Sequence, residues 1–235
     1  MPKRRLRSTP AHLVSMLIAA VTMPSTAVTF ISTDMTIANG NPISGNYTGS
    51  EVRIGVNASL QPVLNVRVDV VPSAVLNYSD QTGGGLSARS NSVVQVYGGT
   101  FGQVSPTGCC GGIYAGDTSR VNVSGGSIDG LSLSGMAPGV GGSRIDFSGG
   151  TVQNYRRRVA SVANGTLNIS GGTVRSTSGQ FGVVGKQGSI INVTGGQVQS
   201  DAGAGIVVSG DSAITRTGGT VTARQPLARA SSSAT

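Results

Sequence analysis

A Gly-Gly pair closes a short alternating run of side chains six times along this chain, and the spacing of those pairs restricts the fold more than any other feature. The pairs begin at Gly98, Gly125, Gly149, Gly171, Gly195 and Gly218, so they stand 27, 24, 22, 24 and 23 residues apart. Repeats of roughly 20 to 50 residues mark stacked architectures in which no unit buries its apolar face alone. The stack is then the folding unit, and function is read off an elongated surface.

The runs ahead of the pairs are Val94-Gln95-Val96-Tyr97, Val121-Asn122-Val123-Ser124, Ile145-Asp146-Phe147-Ser148, Leu167-Asn168-Ile169-Ser170, Ile191-Asn192-Val193-Thr194 and Ile214-Thr215-Arg216-Thr217. Strand side chains alternate faces with period two, so the apolar positions point to a core while Gln95, Asn122, Asp146, Asn168, Asn192 and Thr215 point to solvent. Glycine follows because a sharp turn needs φ values that only glycine takes without steric cost. A second strand starts after each turn, carrying Phe101, Ile128, Val152, Val174, Val198 and Val221. A third apolar cluster appears at Ile113-Tyr114, Val159 to Val162, Phe181 to Val184 and Ile206 to Val208. Three short strands fill a coil of 22–24 residues, and coils stacked at about 4.8 Å make an all-β parallel β-helix.

Composition excludes the commoner classes. With 37 glycines, no tryptophan, 4% aromatic and 11% charged residues, the chain is neither an ordinary helical nor an α/β domain. Glycine does not fall at every third position, which excludes collagen. A disordered Gly/Ser chain would lack the regularly spaced β-branched pairs.

The repeats occupy 91–224, and the remaining segments read differently. Residues 1–27 have the form of a secretory signal: Lys3, Arg4, Arg5 and Arg7, an apolar run from His12 to Met23, and small residues Ser25-Thr26-Ala27 with cleavage expected near Ala27. The run is shorter than the roughly 18 to 20 residues that span a bilayer, so no transmembrane segment is expected once the signal is removed. Its removal leaves 13 basic against 9 acidic residues, a net charge of about +4 instead of +8, and the remaining arginines lack interleaved aromatics. No nucleic-acid partner is therefore expected. Residues 28–90 alternate at Val63 to Val70 and Val75 to Tyr78 out of step with the later copies, and read as a cap or as degenerate coils. Residues 225–235 have no period and read as a disordered tail.

Little in the chain points to catalysis. His12 is the only histidine and lies in the signal, so the mature chain has no imidazole for a base, a triad or a metal site. The carboxylates Asp34, Glu51, Asp69, Asp80, Asp117, Asp129, Asp146, Asp201 and Asp211 do not recur at one position of the repeat, although Asp117 and Asp211 approach a common column. No catalytic, cofactor-binding or metal-binding residue is expected. Candidate ligand-contact residues lie where the repeat breaks: Cys109 and Cys110, Arg156, Arg157 and Arg158, and the N-terminal third. A Cys109–Cys110 disulfide would be strained, because adjacent Cα atoms sit about 3.8 Å apart and disulfides usually span about 4.4–6.8 Å. The arginine run suits an anionic glycan, although charge runs in loops are ordinarily just solvated. Asn46, Asn57, Asn77, Asn122, Asn164, Asn168 and Asn192 begin Asn-X-Ser/Thr triplets; an outward amide ladder between coils explains those at 122, 168 and 192 without glycans.

The basic leader followed by coils of the form apolar-Asn-apolar-Ser-Gly-Gly-Thr-Val, at residues 167–174 and in variant form at 191–198, resembles the passenger region of bacterial autotransporters, the pertactin-like adhesins. The resemblance covers the leader and residues 90–222. It implies a right-handed parallel β-helix and an exported surface adhesin or virulence-associated binding protein, with host or extracellular-matrix surfaces as partners. No functional residue carries over, since an Arg-Gly-Asp triplet and a Pro-rich loop are both missing from this sequence. The outer-membrane barrel of that family, with its alternating strands and terminal aromatic residue, does not follow; the chain closes on Ser231-Ser232-Ser233-Ala234-Thr235. Three readings stay open: a fragment, a truncated remnant without activity of its own, or a free secreted β-helix. The corresponding locations are the cell surface, the medium or the periplasm. The alternative function is a polysaccharide-acting β-helix of pectate-lyase or tailspike type, which requires several Asp with Lys186 or an arginine in one groove.

Overall fold

Three parallel sheets running the length of one stack carry the regular structure of the chain, as described by a computed structural model. The structure describes residues 27–78, 85–103, 112–135, 142–154, 158–177 and 181–223. The leader up to residue 26, Cys109, Cys110, Arg156, Arg157 and the tail lie outside the described residues. Among those described, no helix is long and apolar enough to cross a membrane.

The first sheet stacks Ala27–Ile31, Ser50–Ile54, Leu86–Ala88, Ile113–Asp117, Leu131–Gly135, Arg158–Ala163, Phe181–Lys186 and Ala204–Val208. The second stacks Arg67–Val70, Val93–Val96, Arg120–Val123, Arg144–Phe147, Thr166–Ile169, Ile190–Val193 and Ala213–Arg216. The third stacks Val75–Tyr78, Thr100–Gln103, Ser127–Ile128, Thr151–Asn154, Thr173–Ser176, Gln197–Ser200 and Thr220–Ala223. From Ser50 onward the chain visits the sheets in that order on each coil, and between Ala27–Ile31 and Ser50–Ile54 it touches the second and third through isolated bridges, so this is the parallel β-helix that the repeat predicts.

Register follows the apolar alternation. In the second sheet Val94, Val121, Ile145, Leu167 and Ile191 pair in one column, and Val96, Val123, Phe147, Ile169 and Val193 in the next. All ten are buried. The third sheet adds Leu76, Phe101, Ile128, Val152, Val174 and Val198, and the first adds Val52, Leu86, Ile113, Leu131, Ala160 and Val183. A one-residue slip of any strand would turn its apolar set to water. At the last described coil, Arg216 takes the column position that Val193 holds below it, and the strand Ala213–Arg216 is exposed throughout. The Arg216 guanidinium bends back and donates from Nη2 to the Gly219 carbonyl at 2.8 Å.

The two glycines of a pair serve different needs. A Cβ on Gly171 would run into the Ser148 carbonyl of the coil below, so its neighbour's backbone occupies the space a side chain requires. Gly172 turns the chain at φ +70°, where an L-residue is strained. The residue ahead of the pair ties one coil to the next, since the Ser148 and Ser124 hydroxyls each donate at 3.1 Å to a carbonyl of the preceding coil, that of Val123 and of Val96.

Outside the second sheet, Asn192 Nδ2 donates to Asn168 Oδ1 at 2.8 Å and Asn168 Nδ2 to Asp146 Oδ1 at 2.6 Å. The amide ladder that the outward column predicts thus forms at Asn168 and Asn192, and Asn122 does not join it. Asp146 also holds Arg144 at 2.7 Å, and that hydrogen bond raises the guanidinium's pKa further above its already high value. Asn168→Ala removes two inter-coil bonds and leaves part-buried partners, so a loss of about 1–2 kcal/mol is expected in urea unfolding. A change below a few tenths would mean that water replaces the ladder at no cost. Asn46 and Asn57 are held otherwise: Asn46 Oδ1 accepts from the Thr48 amide at 2.9 Å, and Asn57 Oδ1 from the Ser59 amide at 3.0 Å.

Residues 28–90 supply strands to all three sheets, in phase with the later coils. Their poor legibility has a physical cause. Residues 55–66 link the first sheet to the second in one coil, where residues 187–189 do so in another. The alternation at 63–66 is not strand: the strand begins at Arg67, and Leu64 projects from the linking loop at 65% exposure.

Candidate functional site

The long loop at 55–66 is an ordered structure. Val56 bridges Pro62 antiparallel, the Val63 amide donates to the Gly55 carbonyl at 2.9 Å, and Asn57 Oδ1 accepts from the Gln61 amide at 2.9 Å. The loop is tied to the following coil as well, because Asn91 Nδ2 donates to Asn65 Oδ1 at 2.6 Å. At its base Gly55, at φ +80°, lies so close to the next coil that a Cβ would meet the Arg89 carbonyl. At its tip Leu60 takes φ 59° and is 61% exposed. A bulky residue in the left-handed region is an outlier that the surrounding structure must enforce. Here the loop's own hydrogen bonds do so, and they hold an apolar side chain out in solvent.

Between this loop and the wall of the solenoid lies a depression of about 370 Å³, lined by Arg53, Val56, Leu60, Pro62, Arg89, Ser90 and Asp117. Its size falls within the roughly 300–1,000 Å³ of small-ligand sites. Three successive coils build it. On the outward face of the first sheet, Arg53, Ser87 and Tyr114 pair in one column. Arg89 Nε donates to Ser87 Oγ at 3.3 Å, and its guanidinium lies 4.9 Å from the centre of the Tyr114 ring. A cation over an aromatic face is held by the ring quadrupole, which orients the planar fork. Arg53 Nη2 stands 2.8 Å from Glu51 Oε2, a carboxylate that is only 1% exposed. Asp117 turns the corner at φ 56° and accepts from the Ser90 amide at 3.2 Å.

Elsewhere the polar groups are spread over different faces. Asp34 and Asp69 accept from the Arg67 and Ile37 amides, both at 2.8 Å, and so fasten the early coils. Asp146 lies on the second sheet with Arg144, and Asp201 pairs with Arg175 at 2.8 Å beside the third. Gln199 Nε2 also donates to Asp201 at 2.6 Å, so the shallow space of about 580 Å³ around Arg175 is lined by groups that bind one another. Lys186 ends a strand of the first sheet, several coils away from Asp117. Among the described residues no group of three or more His, Cys, Asp or Glu is placed to hold a metal. Of the individual ligand-contact residues expected from sequence, Cys109, Cys110 and Arg156 to Arg158, only Arg158 lies among those described, and it opens the strand Arg158–Ala163.

Arg53, Arg89 and Tyr114 carry no local signal, because they occupy ordinary outward positions. The broken period of the N-terminal third was the available pointer, and it marks the loop that walls the depression. Compared with protein-family models, characterised proteins and solved structures, the chain matches none.

Proposed function

We propose that this chain is an exported, non-catalytic β-helix of passenger type that binds surfaces outside the cell, host or extracellular-matrix surfaces among them. The observation that supports this reading most is the depression at residues 53–117, where an ordered loop replaces a short link between the first and second sheets and places an exposed apolar side chain beside two guanidinium groups. A solenoid buries its apolar residues by stacking alone, so nothing in its stability calls for Leu60 to stand in solvent. Among the described residues Asp117 is the one carboxylate lining that depression, and it already caps a backbone amide, which favours binding over acid–base chemistry there.

The test is saturable binding of the full chain to an immobilised panel of matrix proteins and glycans, with chemical assay of the same glycans for cleavage. Saturable binding without turnover is the expected result. Release of new sugar ends would replace this reading with a polysaccharide-acting one, and a panel without any saturable partner would remove it. Arg53→Gln is a poor probe in such work. It strands the buried Glu51 carboxylate, so lost binding would be mixed with lost stability.

A further inference from the structure

We propose that the depression formed by Arg53, Arg89, Asp117 and the 55–66 loop is a subsite for a sugar ring carrying one carboxylate. This rests on the binding reading above and narrows its ligand. Charge sets the first limit. Arg53 already pairs with Glu51, and among the described residues no carboxylate lies within ion-pair distance of Arg89, so one guanidinium is left to face one carboxylate; a dense polyanion would in addition meet the charges of Glu51 and Asp117. A ligand that presents one carboxylate together with neutral hydroxyls meets no such mismatch.

Geometry sets the second limit. The Arg89 fork is held through Nε by Ser87 and over the Tyr114 ring, so its plane is set before a ligand arrives. Planar guanidinium groups recognise carboxylates bidentately, and a fork already oriented loses less entropy on binding. Asp117 accepts one amide hydrogen, and a carboxylate has about four acceptor sites, so it still takes hydroxyl donors. Ser90 lines the same depression. Opposite these groups, Val56, Leu60 and Pro62 supply an aliphatic wall for the C–H face of a ring. A free carboxylic acid would leave that wall unused, and a neutral sugar would leave Arg89 without a counter-charge.

The experiment is titration calorimetry of the full chain with 3′-sialyllactose and with a glucuronate-bearing oligosaccharide, set beside lactose, the carboxyl-reduced oligosaccharide and heparin. At least one carboxylated probe should bind tenfold or more tighter than its neutral counterpart and tighter than heparin per site. Arg89→Gln should weaken that probe at least tenfold. Leu60→Gly suits the backbone at φ 59°, so it keeps the loop while removing the wall, and it should weaken binding about threefold to tenfold with an unchanged melting temperature. The proposal is overturned if neutral and carboxylated sugars bind alike, if heparin binds best, or if both variants bind as the parent does. Binding to other partners on the matrix panel with no response to either carboxylated probe overturns this subsite alone and leaves the broader reading standing. No partner on the panel overturns both.

Discussion

Gly171→Ala is expected to destabilise the solenoid by at least about 3 kcal/mol, more than the roughly 1–3 kcal/mol of ordinary overpacking, because the added Cβ meets backbone and not a side chain that can turn away. The Ser148 carbonyl it meets belongs to the coil below, so relief requires the two coils to separate locally, with loss of ladder hydrogen bonds on both sides of the turn. Gly40→Ala is the control. Gly40 has φ +73° and open space where a Cβ would go, so it carries only the conformational cost, about 1 kcal/mol. Urea unfolding of the two variants followed by circular dichroism separates close approach from backbone conformation. Equal losses would show that the first glycine of each pair is not set by the approach of the neighbouring coil.

Phe147→Ala should cost about 3–5 kcal/mol. The ring is fully buried, shares its column with Val123 and Ile169, and comes so close to Gly172 that a Cβ there would stand 2.7 Å from ring atom Cε1. Coils above and below are pinned by their own ladders, so the space cannot close by collapse, and the loss should lie toward the upper end of that range. Phe147→Leu refills most of the volume and should cost less than about 1.5 kcal/mol. In a stack, each coil is stabilised by its neighbours, and a defect in the middle divides the array. The alanine variant should therefore broaden the urea transition as well as shift it. An unbroadened transition with a shift under about 1 kcal/mol would mean that the core repacks around the missing ring.

The class of fold was legible because its cause is local and repeated. Period-two alternation assigns Val121, Val123, Ile145 and Phe147 to one face, the Gly-Gly pairs mark the turns, and the interval between them measures a coil. The Asn column was legible for the same reason, since equal intervals bring equal positions together. The early coils were not, because residues 55–66 insert a loop that breaks the interval without changing the sheets it connects. Its own devices, Asn57 as an acceptor for two amides and the Val56–Pro62 bridge, are those of any turn.

The sequence by itself thus determined a parallel β-helix, its coil length, and the core columns from Val94 to Val198, while Ile214, read as core, is exposed at the last described coil. Only the tertiary structure decided which outward side chains become neighbours where the interval between coils changes. Arg53, Arg89, Tyr114 and Asp117 come together because parallel stacking pairs residues one coil apart, and coils of unequal length shift that pairing by amounts no local pattern records. Inward positions tolerate such shifts, since any apolar residue can fill the column. Outward positions do not, because the function of a guanidinium depends on which carboxylate, ring or loop the stacking places beside it.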